Sequence, residues 1–393
     1  MTPDTATRIA SRMASIAAFE VMEIQTLARA REAAGADVIH LEIGEPDFRT
    51  PAPIVEAAKR ALDAVPMNYT SALGIPPLRE AIARFYRDRY GVAVPAERVV
   101  VTAGSSAALL LAFGVLLDAG DEVLLADPGY PCNRHFAIAL GGVPRAVPVG
   151  PASRYQLTPE IARAAWTPRT RVAMVASPAN PTGTLVTPGE VAGLAALARE
   201  KGATLLVDEI YHGLTYGLDA RTALEAGDDV FVVNSFSKYF QMTGWRLGWM
   251  VVPQPFVREI EKLAQNLYIS PSTLAQHAAL AAFQPGTIAI LEERRRELAE
   301  RRDYLLPALA SLGFGIPVQP EGAFYVYADS SRLAPDSFAL ARRALAEAGV
   351  AFTPGRDFGA HEPERHIRIA YTQPVARLQE AVARLRRLLA GGT

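Results

Sequence analysis

Cysteine is almost absent from this chain, which has one cysteine, Cys132, in 393 residues. A single thiol excludes an internal disulfide framework and a cysteine-based zinc cluster, and it suits a reducing cytoplasm. Because Cys132 lies next to Tyr130 in a predicted turn, we expect a small packed residue rather than a nucleophile. The six histidines show no HExxH or other metal-ligand spacing. We therefore expect no metal.

Excess charge and long apolar runs are also missing. The formal net charge is -1 and no block of lysine and arginine stands out, so neither nucleic acid nor an anionic membrane is an expected partner. No run of about 18 apolar residues occurs, which argues against a bilayer span. Glu20 and Glu23 interrupt the only apolar stretch near the N-terminus, so we expect no secretory signal. The expectation is a cytoplasmic protein that acts on a small molecule.

The first half of the chain predicts a large α/β domain. The whole chain of 393 residues exceeds what one hydrophobic core usually supports, so we also expect a second, smaller lobe. Short β-branched runs alternate with helical stretches such as residues 106–117 and 188–201. This alternation predicts a mostly parallel sheet with helices on both faces, whose strands end along one ligand-binding edge. The runs are residues 99–102, 122–126, 172–176, 204–207, 230–234 and 248–252.

The chain changes in texture after residue 255. We expect one long helix from there to about residue 300, and then strands and helices in turn. Residues 1–45, with a helix and a strand at 38–43, are expected to join this smaller α+β domain. The predicted division is thus a large domain at 46–285 and a small domain made from 1–45 and 286–393. The later elements are a strand at 323–328, a helix at 337–349, a strand at 366–370 and a closing helix at 374–389.

Polar or aromatic residues follow three of the predicted strands. Ser105 and Ser106 come after Gly104 and open a helix, whose N–H groups would suit a phosphate or form an ordinary N-terminal cap. Tyr130 follows the next strand, where it would stack on a planar ligand or pack within its turn. Asn180 lies in an Asn-Pro turn, which needs no ligand to form but aims the amide into a cleft.

Two later strands end in charged residues. Asp208 directly follows a buried strand, so its carboxylate needs a partner, either a protonated ring nitrogen or an arginine or lysine. Lys238 follows the next strand within Ser235-Phe236-Ser237-Lys238, and Arg246 comes eight residues later. A lysine in such an apolar, aromatic setting suggests a lowered pKa and Schiff-base chemistry, whereas a lone loop lysine is usually a solvated charge.

The ordered set of motifs resembles one family over nearly the whole chain. The motifs are Asn180-Pro181-Thr182-Gly183, Asp208 with Tyr211, SFSKYFQMTGWRLGW around Lys238, and Arg368 in HIRIAYT. They resemble the fold-type-I, class I/II pyridoxal-phosphate-dependent aminotransferases of the aspartate aminotransferase superfamily. No single motif is decisive, but the combination at these spacings is specific. The resemblance implies a mostly parallel seven-stranded sheet flanked by helices, a smaller α+β domain, and a homodimer with shared active sites.

The resemblance also implies roles for individual residues. Lys238 matches the lysine that bears pyridoxal 5'-phosphate and moves the substrate proton, and Asp208 matches the aspartate that salt-bridges the pyridine nitrogen. Arg368 matches the arginine that grips the substrate α-carboxylate, close to Gly44. The further matches are Asn180 and Tyr211 at the ring hydroxyl, Tyr130 as the stacking aromatic, Ser105, Ser106, Ser235 and Arg246 at the phosphate, Ser237 beside the lysine, and Tyr69, which reaches the phosphate of the partner subunit.

The implied activity is the transfer of an α-amino group from an L-amino acid to a 2-oxo acid, either 2-oxoglutarate or pyruvate, in two half-reactions. A carbon–sulfur β-lyase on the same fold is the alternative, because such sites share the lysine, the aspartate and the phosphate cup. A lyase would release ammonia and pyruvate without converting the cofactor to its amine form. A non-catalytic regulator is a remote alternative, because too few residues precede Gly44 to hold a DNA-binding module.

The amino donor is left open by the sequence. Some bacterial aspartate-specific relatives place a lysine in the turn after Gly104, where this chain has Ser105-Ser106-Ala107. That difference argues against strict aspartate specificity, although an arginine from elsewhere or from a partner chain could replace the lysine. Neutral donors such as alanine, branched or aromatic amino acids are at least as well supported.

Overall fold

The computed structural model describes residues 8–391, in which twelve β-strands and twelve α-helices are present. The strands β1 to β12 are Ile39–His40, Val99–Thr102, Glu122–Asp127, Val143–Pro148, Thr170–Ala176, Thr204–Asp208, Phe231–Ser235, Gly248–Val251, Tyr325–Asp329, Val350–Ala351, Thr353–Pro354 and His366–Ala370. The helices α1 to α12 are Glu20–Ala33, Ala52–Ala64, Pro76–Tyr90, Ser105–Leu116, Pro131–Ala139, Pro159–Ala165, Pro188–Glu200, Val257–Leu267, Thr273–Ala279, Pro285–Ser311, Ser337–Arg343 and Val375–Ala390.

A seven-stranded sheet forms the centre of the fold, in the order β2-β8-β7-β6-β5-β3-β4. All of its neighbouring strands are parallel except β8, which runs antiparallel to both β2 and β7. The predicted fold class, a mostly parallel sheet flanked by helices, is therefore confirmed. The six predicted strands are all present, with ends that differ from the prediction by up to two residues.

The central strands are buried on both faces. Along β6, Leu205 and Val207 lie in one hydrophobic core while Leu206 lies in the other, so successive side chains point to opposite faces of the sheet. Helix α7 shows how the crossovers begin: Thr187 and Glu190 form a reciprocal capping box and Pro188 occupies the first turn. This arrangement brings the carboxyl ends of β3, β5, β6 and β7 to one edge.

The prediction of one long helix between residues 255 and 300 is wrong. Three helices occupy this segment, α8, α9 and the start of α10. The first break follows Leu267, where Ile269 has a left-handed backbone (φ 66°) and Pro271 cannot continue a helical hydrogen-bond pattern. Pro285 begins α10 in the same way that proline begins other helices here. Apolar residues keep a helical spacing across these breaks, so the sequence pattern did not indicate where one helix ends and the next begins.

Smaller differences from the predicted elements have local causes. Strand β4 was not predicted, because most of its side chains are exposed and it carries two prolines, as an edge strand tolerates. The strand expected at 38–43 is limited to the two residues of β1. The helix expected at 337–349 consists of α11 and a π-helical turn, Ala344–Ala348. Cys132 lies in the first turn of α5, half-buried, rather than in a loop.

The second layer of structure joins the two ends of the chain. β1 pairs in parallel with β10, and β11, β12 and β9 form a separate antiparallel sheet. The division into domains at residues 46 and 286 stays a prediction, and residues 1–7 and 392–393 of the proposed small domain lie outside the described residues. Of the helices between residues 8 and 391, none combines the length and hydropathy of a transmembrane span.

Candidate active site

A cavity of about 280 Å³ lies at the edge of the sheet where the parallel strands end. The ends of β5 and β6, the start of α4 and the turn after β3 form its floor, while α1 and strands β9 and β12 close it from the other side. The carboxyl edge was the predicted location, because right-handed crossovers bring such ends together. Nine residues predicted for the site line the cavity: Gly44, Ser105, Ser106, Tyr130, Asn180, Asp208, Tyr211, Lys238 and Arg368.

Lys238 presents its amine to the cavity. Its Nζ donates a hydrogen bond of 2.6 Å to the carbonyl oxygen of Gly44, and the ring of Phe324 lies 5.8 Å away. Burial lowers the pKa of Lys238 to about 8, an effect that Arg368 reinforces and Glu45 opposes. A substantial fraction of the amine is therefore unprotonated near neutral pH, the form that attacks a carbonyl or accepts a proton.

Asp208 ends β6 with a buried carboxylate on which the charge of Lys238 acts without direct contact. The side chain is 5 % exposed, and its Oδ1 accepts a hydrogen bond of 3.0 Å from the backbone N–H of Ile210. Burial raises the pKa of Asp208 to about 7. Within residues 8–391 no arginine, lysine or histidine forms an ion pair with it, so the structural alternative considered for this residue is not observed. A cationic group in the cavity would complete the site.

The start of α4 forms a basic, donor-rich corner. Helix α4 begins at Ser105 after Gly104, whose backbone is left-handed (φ 81°). A side chain at Gly104 would collide with the guanidinium of Arg246, since its Cβ would lie 2.6 Å from Nη2. The guanidinium of Arg246 thus lies beside the first residues of the helix, although Arg246 itself does not line the cavity. This combination suits a phosphate dianion.

Ser235 and Ser237 support this corner without lining the cavity. Both are buried, and the Ser235 hydroxyl lies 2.9 Å from the hydroxyl of Ser237 and 3.1 Å from the carbonyl oxygen of Leu247. The Ser237 backbone N–H donates back to the Ser235 hydroxyl. These bonds form the turn that leads from β7 to Lys238. Both serines therefore lie in the turn that leads to Lys238, and their hydrogen bonds hold that turn together.

Arg368 is held rigidly in the buried strand β12. Its Nη1 donates to Oδ1 of Asn180 at 3.0 Å, and its Nη2 donates to the carbonyl oxygen of Glu42 at 2.6 Å. The guanidinium also stacks on the rings of Tyr325 (4.3 Å) and Phe358 (4.9 Å). Its Nε is buried without a partner among the described residues. A guanidinium that is held rigidly and lines the cavity is well arranged to bind a carboxylate.

Tyr325 is a site residue that the sequence did not reveal. Its hydroxyl lies 3.0 Å from the hydroxyl of Tyr211, and its ring supports Arg368. A side chain at Gly44 would collide with it, because the Cβ would lie 2.6 Å from the Tyr325 hydroxyl oxygen. The available signal was a tyrosine in a predicted buried strand, because a buried hydroxyl requires a partner. Gly44 is thus confined to the space between Tyr325 and Arg368.

The outer wall of the cavity comes from the start of α1 and the segment after β11, which sequence analysis did not assign to the site. Phe19, Val21 and Met22 line this wall, together with Asp357 and Phe358. The Phe19 ring lies 6.4 Å from the ring of Tyr130, which precedes α5 and whose pKa is raised well above its usual value by burial. Apolar residues at a helix start carry no distinctive sequence signal, because most of them belong to a core.

Tyr69 is the predicted site residue that lies farthest from this arrangement. Its side chain is 80 % exposed, and it is not among the residues that line the cavity of its own chain. The alternative of a tyrosine packed within its own chain is therefore not observed. Thr70, the next residue, approaches Ser270, where its N–H lies 3.4 Å from the hydroxyl oxygen. The neighbouring Ile269 is also exposed.

The donor set fits pyridoxal 5'-phosphate. The cavity offers a partly unprotonated amine, a buried carboxylate in need of a cation, and a corner of helix N–H groups beside an arginine. An aldehyde, a pyridinium nitrogen and a phosphate would meet these three requirements. No group of three or more histidine, cysteine, aspartate or glutamate side chains within residues 8–391 is placed to hold a metal ion.

Comparisons with known proteins agree with this geometry. The family model described as "Aminotransferase class I and II" matches residues 36–385. A valine–pyruvate aminotransferase of Mycobacterium tuberculosis is 41% identical over 380 residues, which cover 96% of this chain and 97% of the relative. An aspartate/prephenate aminotransferase of Thermus thermophilus is 40% identical over 361 residues, covering 90% and 92%.

Solved structures show the same fold. A crystal structure of an aminotransferase from Mycobacterium tuberculosis superimposes with a TM-score of 0.94 at 41% identity, covering 98% of this chain and 99% of that one. The aspartate aminotransferase from Thermus thermophilus with maleate gives a TM-score of 0.92 at 36% identity, covering 97% and 99%.

Proposed function

Since the chain belongs to the class I and II aminotransferases, a family of pyridoxal-phosphate-dependent transaminases, we propose that its preferred amino donor is an apolar L-amino acid and its preferred acceptor pyruvate. One observation carries this proposal: the outer wall of the cavity is apolar, and the charged side chain that residues 8–391 contribute to it is acidic. Phe19, Val21 and Met22 line it, and the charged side chain among them is Asp357. A distal carboxylate would meet an acid there and no cation.

The opposite side of the cavity supports the same choice. Ser106 lines the cavity in the turn where some aspartate-specific relatives place a lysine for a distal carboxylate, and Leu109 and Phe136 also line the cavity. The charged side chains that line the cavity are Asp208, Lys238, Asp357 and Arg368. Of the two cations, Arg368 is assigned to the α-carboxylate and Lys238 to the cofactor. Because both half-reactions use one site, this argument favours pyruvate over 2-oxoglutarate as acceptor.

We infer that this chain holds the cofactor through the residues predicted for it. Lys238 would bear it covalently, Asp208 would pair with its ring nitrogen, and Tyr130 would stack on its ring. Asn180 and Tyr211 would bond its ring hydroxyl. Ser105, Ser106, Ser235 and Arg246 would hold its phosphate. When bound, the cofactor supplies an electron sink that acidifies the Cα–H bond of the substrate.

The chain's own residues then control the proton and the substrate. Arg368 binds the α-carboxylate through its fork and thereby fixes the direction of the Cα–H bond. The amine of Lys238, with a pKa lowered to about 8, would take the proton from Cα and deliver it to the cofactor carbon that carries the aldehyde. Asp208 remains ionised once a cation faces it, since charge pairing reverses the effect of burial. The apolar wall excludes water from the reacting atoms.

A panel of amino acids tests the donor preference. The holoenzyme is mixed with one amino acid and no acceptor, and a single turnover is followed by loss of the cofactor's visible absorbance. We expect valine, leucine and phenylalanine to react faster than aspartate and glutamate. A faster reaction with aspartate would contradict the proposed donor class. Release of ammonia and pyruvate without conversion of the cofactor would indicate the β-lyase alternative.

We also propose a homodimer in which Tyr69 completes the site of the partner chain. Two exposed apolar side chains support this: Tyr69, and Ile269, which precedes the Ser270 that Thr70 approaches. Neighbouring segments that both expose apolar side chains are typical of a contact surface. Heterodimers of Tyr69→Ala and Lys238→Ala chains provide the test. If the site is shared, one of their two sites has neither lesion and activity returns. Verified heterodimers without activity would contradict a shared site.

A further inference from the structure

The start of helix α1 depends on a residue that is distant in sequence. Phe19 occupies the capping position and provides no side-chain hydrogen bond. Instead, Oδ1 of Asp357 accepts a hydrogen bond of 3.0 Å from the backbone N–H of Glu20, and the carboxylate also accepts from the N–H of Val21. A carboxylate at this position compensates the unpaired N–H groups and the positive end of the helix dipole. The cap of α1 is thus supplied by the other end of the chain.

This cap lies within the substrate wall itself. Phe19, Val21 and Met22, which line the cavity, are the residue before α1 and two residues of its first turn. Asp357 ends a short 3-10 helix, Gly355–Asp357, and is followed by Phe358, whose ring lies 4.9 Å from the guanidinium of Arg368. One carboxylate therefore connects the apolar wall with the segment that supports the substrate-binding arginine.

The carboxylate of Asp357 has no competing role in the structure. The side chain is 3 % exposed, and its hydrogen bonds go to backbone N–H groups of α1. Arg134 lies nearby but donates to the carbonyl oxygen of Asp357, at 3.0 Å, and not to its carboxylate. Arg356, the preceding residue, faces Asp336 at 3.6 Å. Burial raises the pKa of Asp357, while the charges of Arg368 and Arg134 oppose this effect.

We propose that Asp357 is a positioning residue for donor specificity, which holds Phe19, Val21 and Met22 against the side chain of an apolar substrate. This inference rests on the proposed preference for apolar donors and adds the residue that maintains it. Asp357 contributes twice, because its hydrogen bonds fix the wall and its charge repels a distal carboxylate. The methyl group of alanine is too short to use the wall fully, whereas leucine or phenylalanine would pack against it.

The proposal predicts a loss that grows with the size of the donor side chain. In the Asp357→Ala holoenzyme, kcat/KM for leucine and phenylalanine should fall by about tenfold or more, mainly through KM, which is the scale of a few lost apolar contacts. The value for alanine should change by less than about twofold, since little of its binding depends on the wall. An equal loss for all three donors would overturn the proposal, because it would indicate damage to Arg368 or to the fold. No loss for any donor would overturn it as well.

A matched control removes a different helix cap. The hydroxyl of Thr187 accepts the backbone N–H of Glu190 at the start of α7, away from the cavity. Thr187→Ala loses a cap of the same kind and should leave the ratio of leucine to alanine activity unchanged. Asp357→Asn keeps one acceptor oxygen and should recover part of the leucine activity, even if the alanine variant folds poorly. A ratio that moves equally in Thr187→Ala would contradict a specific role for Asp357.

Two further measurements separate positioning from general stability. Hydrogen–deuterium exchange of the holoenzyme should show faster exchange in peptides that contain Glu20 and Val21 in Asp357→Ala, and unchanged exchange there in Thr187→Ala. In a Val21→Ala background, Asp357→Ala should cost less for leucine than it does alone, because the two residues act through one wall. Unchanged exchange, or fully additive effects on leucine, would overturn the proposal.

Failure of this inference is distinguishable from failure of the donor proposal. If the unmodified enzyme reacts fastest with aspartate, the donor proposal fails regardless of any variant. If the unmodified enzyme prefers leucine and the Asp357→Ala variant keeps that preference, the donor proposal holds and the role of Asp357 is contradicted.

Discussion

Asp208 and Glu209 are consecutive, buried acids whose surroundings differ in kind. Burial raises the pKa of both, to about 7 for Asp208 and to about 8 for Glu209. Glu209 is satisfied by its own chain, since its carboxylate accepts hydrogen bonds from the hydroxyl of Thr222 (2.9 Å) and the backbone N–H of Ala223. Asp208 faces the cavity and receives one backbone N–H. Adjacent residues of equal charge thus belong to two regions, the protein interior and the binding site.

The difference shows how a site can be distinguished from a structural polar cluster. On the interior side, His212 lies 3.4 Å from Glu209 and 3.0 Å from the hydroxyl of Tyr90, and burial lowers its pKa to about 3, so it is neutral. Glu209, His212 and Tyr90 thus find their hydrogen-bond and charge partners within the chain. On the cavity side, Asp208 and Lys238 are buried ionisable groups that form no ion pair within residues 8–391, and the proposed cofactor would supply partners for both. Substitutions on the two sides should therefore damage different properties.

Lys238→Ala is the largest expected effect on the cavity side. Turnover should fall by about 10⁵-fold or more, because both the covalent anchor and the proton carrier are lost, while the fold and non-covalent cofactor binding persist. Borohydride reduction of the unmodified holoenzyme, followed by peptide mapping, should label Lys238. The other lysines form ion pairs with Glu56, Glu200 and Glu259 on the surface. A label on Lys59, Lys201 or Lys262 would contradict the site.

Asp208→Asn should slow removal of the Cα proton by about 10²- to 10³-fold, because an amide does not keep the ring nitrogen protonated. Cofactor should still bind. Stopped-flow measurement of the single-turnover rate with a saturating amino acid provides the check, with cofactor content measured on the same sample. Near-normal rates would remove Asp208 from this role.

The Asp208→Asn variant, which should slow catalysis, should nevertheless increase the free energy of unfolding of the cofactor-free protein at alkaline pH. Burial raises the pKa of Asp208 in the folded state to about 7 from its usual 3.8, so the folded state binds the proton more tightly and loses stability as the pH rises between these values. At pH 8 the Asp208→Asn protein should be more stable than the unmodified chain by about 4 kcal/mol, and most of the difference should be gone near pH 4. Urea unfolding at several pH values measures it. Added cofactor should reverse the order at pH 8.

Glu209→Ala is the matching change on the interior side, with the smallest expected effect on chemistry. It leaves the donors of Thr222 and Ala223 without an acceptor, which should cost about 2 kcal/mol of unfolding free energy. Glu209→Gln retains an acceptor and should therefore be more stable than Glu209→Ala. The kcat of folded Glu209→Ala should stay close to that of the unmodified enzyme. A large drop in the kcat of Glu209→Ala with unchanged stability would contradict the assignment of Glu209 to the interior rather than to the site that contains Asp208.

Sequence reasoning found the cavity because its chemistry follows strand ends. Strands such as β6 are marked by β-branched runs, and the residue after each run is therefore brought to one edge by parallel pairing. Arg368 required the resemblance, because an arginine in a strand is not otherwise distinguishable from a surface cation. The exposed edge strand β4 and the breaks at Leu267 and Pro285 were missed because their patterns resemble loops or continuous helix.

The wall of the cavity could not be predicted for a different reason. Phe19, Met22 and Asp357 carry ordinary signals, an apolar helix start and an acid after a turn. These residues form the wall only because the start of α1 contacts Asp357, which is 337 residues away in the sequence. A local sequence pattern does not predict such a long-range contact. Tyr325 belongs to the same group, since only the packing of β9 against Arg368 reveals it.

Because β1 pairs with β10, with Ile39 opposite Val350, this pair can form only late in the synthesis of the chain. Synthesis proceeds from the N-terminus, so the strands of the central sheet are complete while β1 still has no partner. Arg368, Asp357 and the cap of α1 reach the site only when nearly all of the chain has emerged. A nascent chain that contains Lys238 but not yet Arg368 would therefore carry the proposed cofactor lysine without the arginine proposed to bind the substrate.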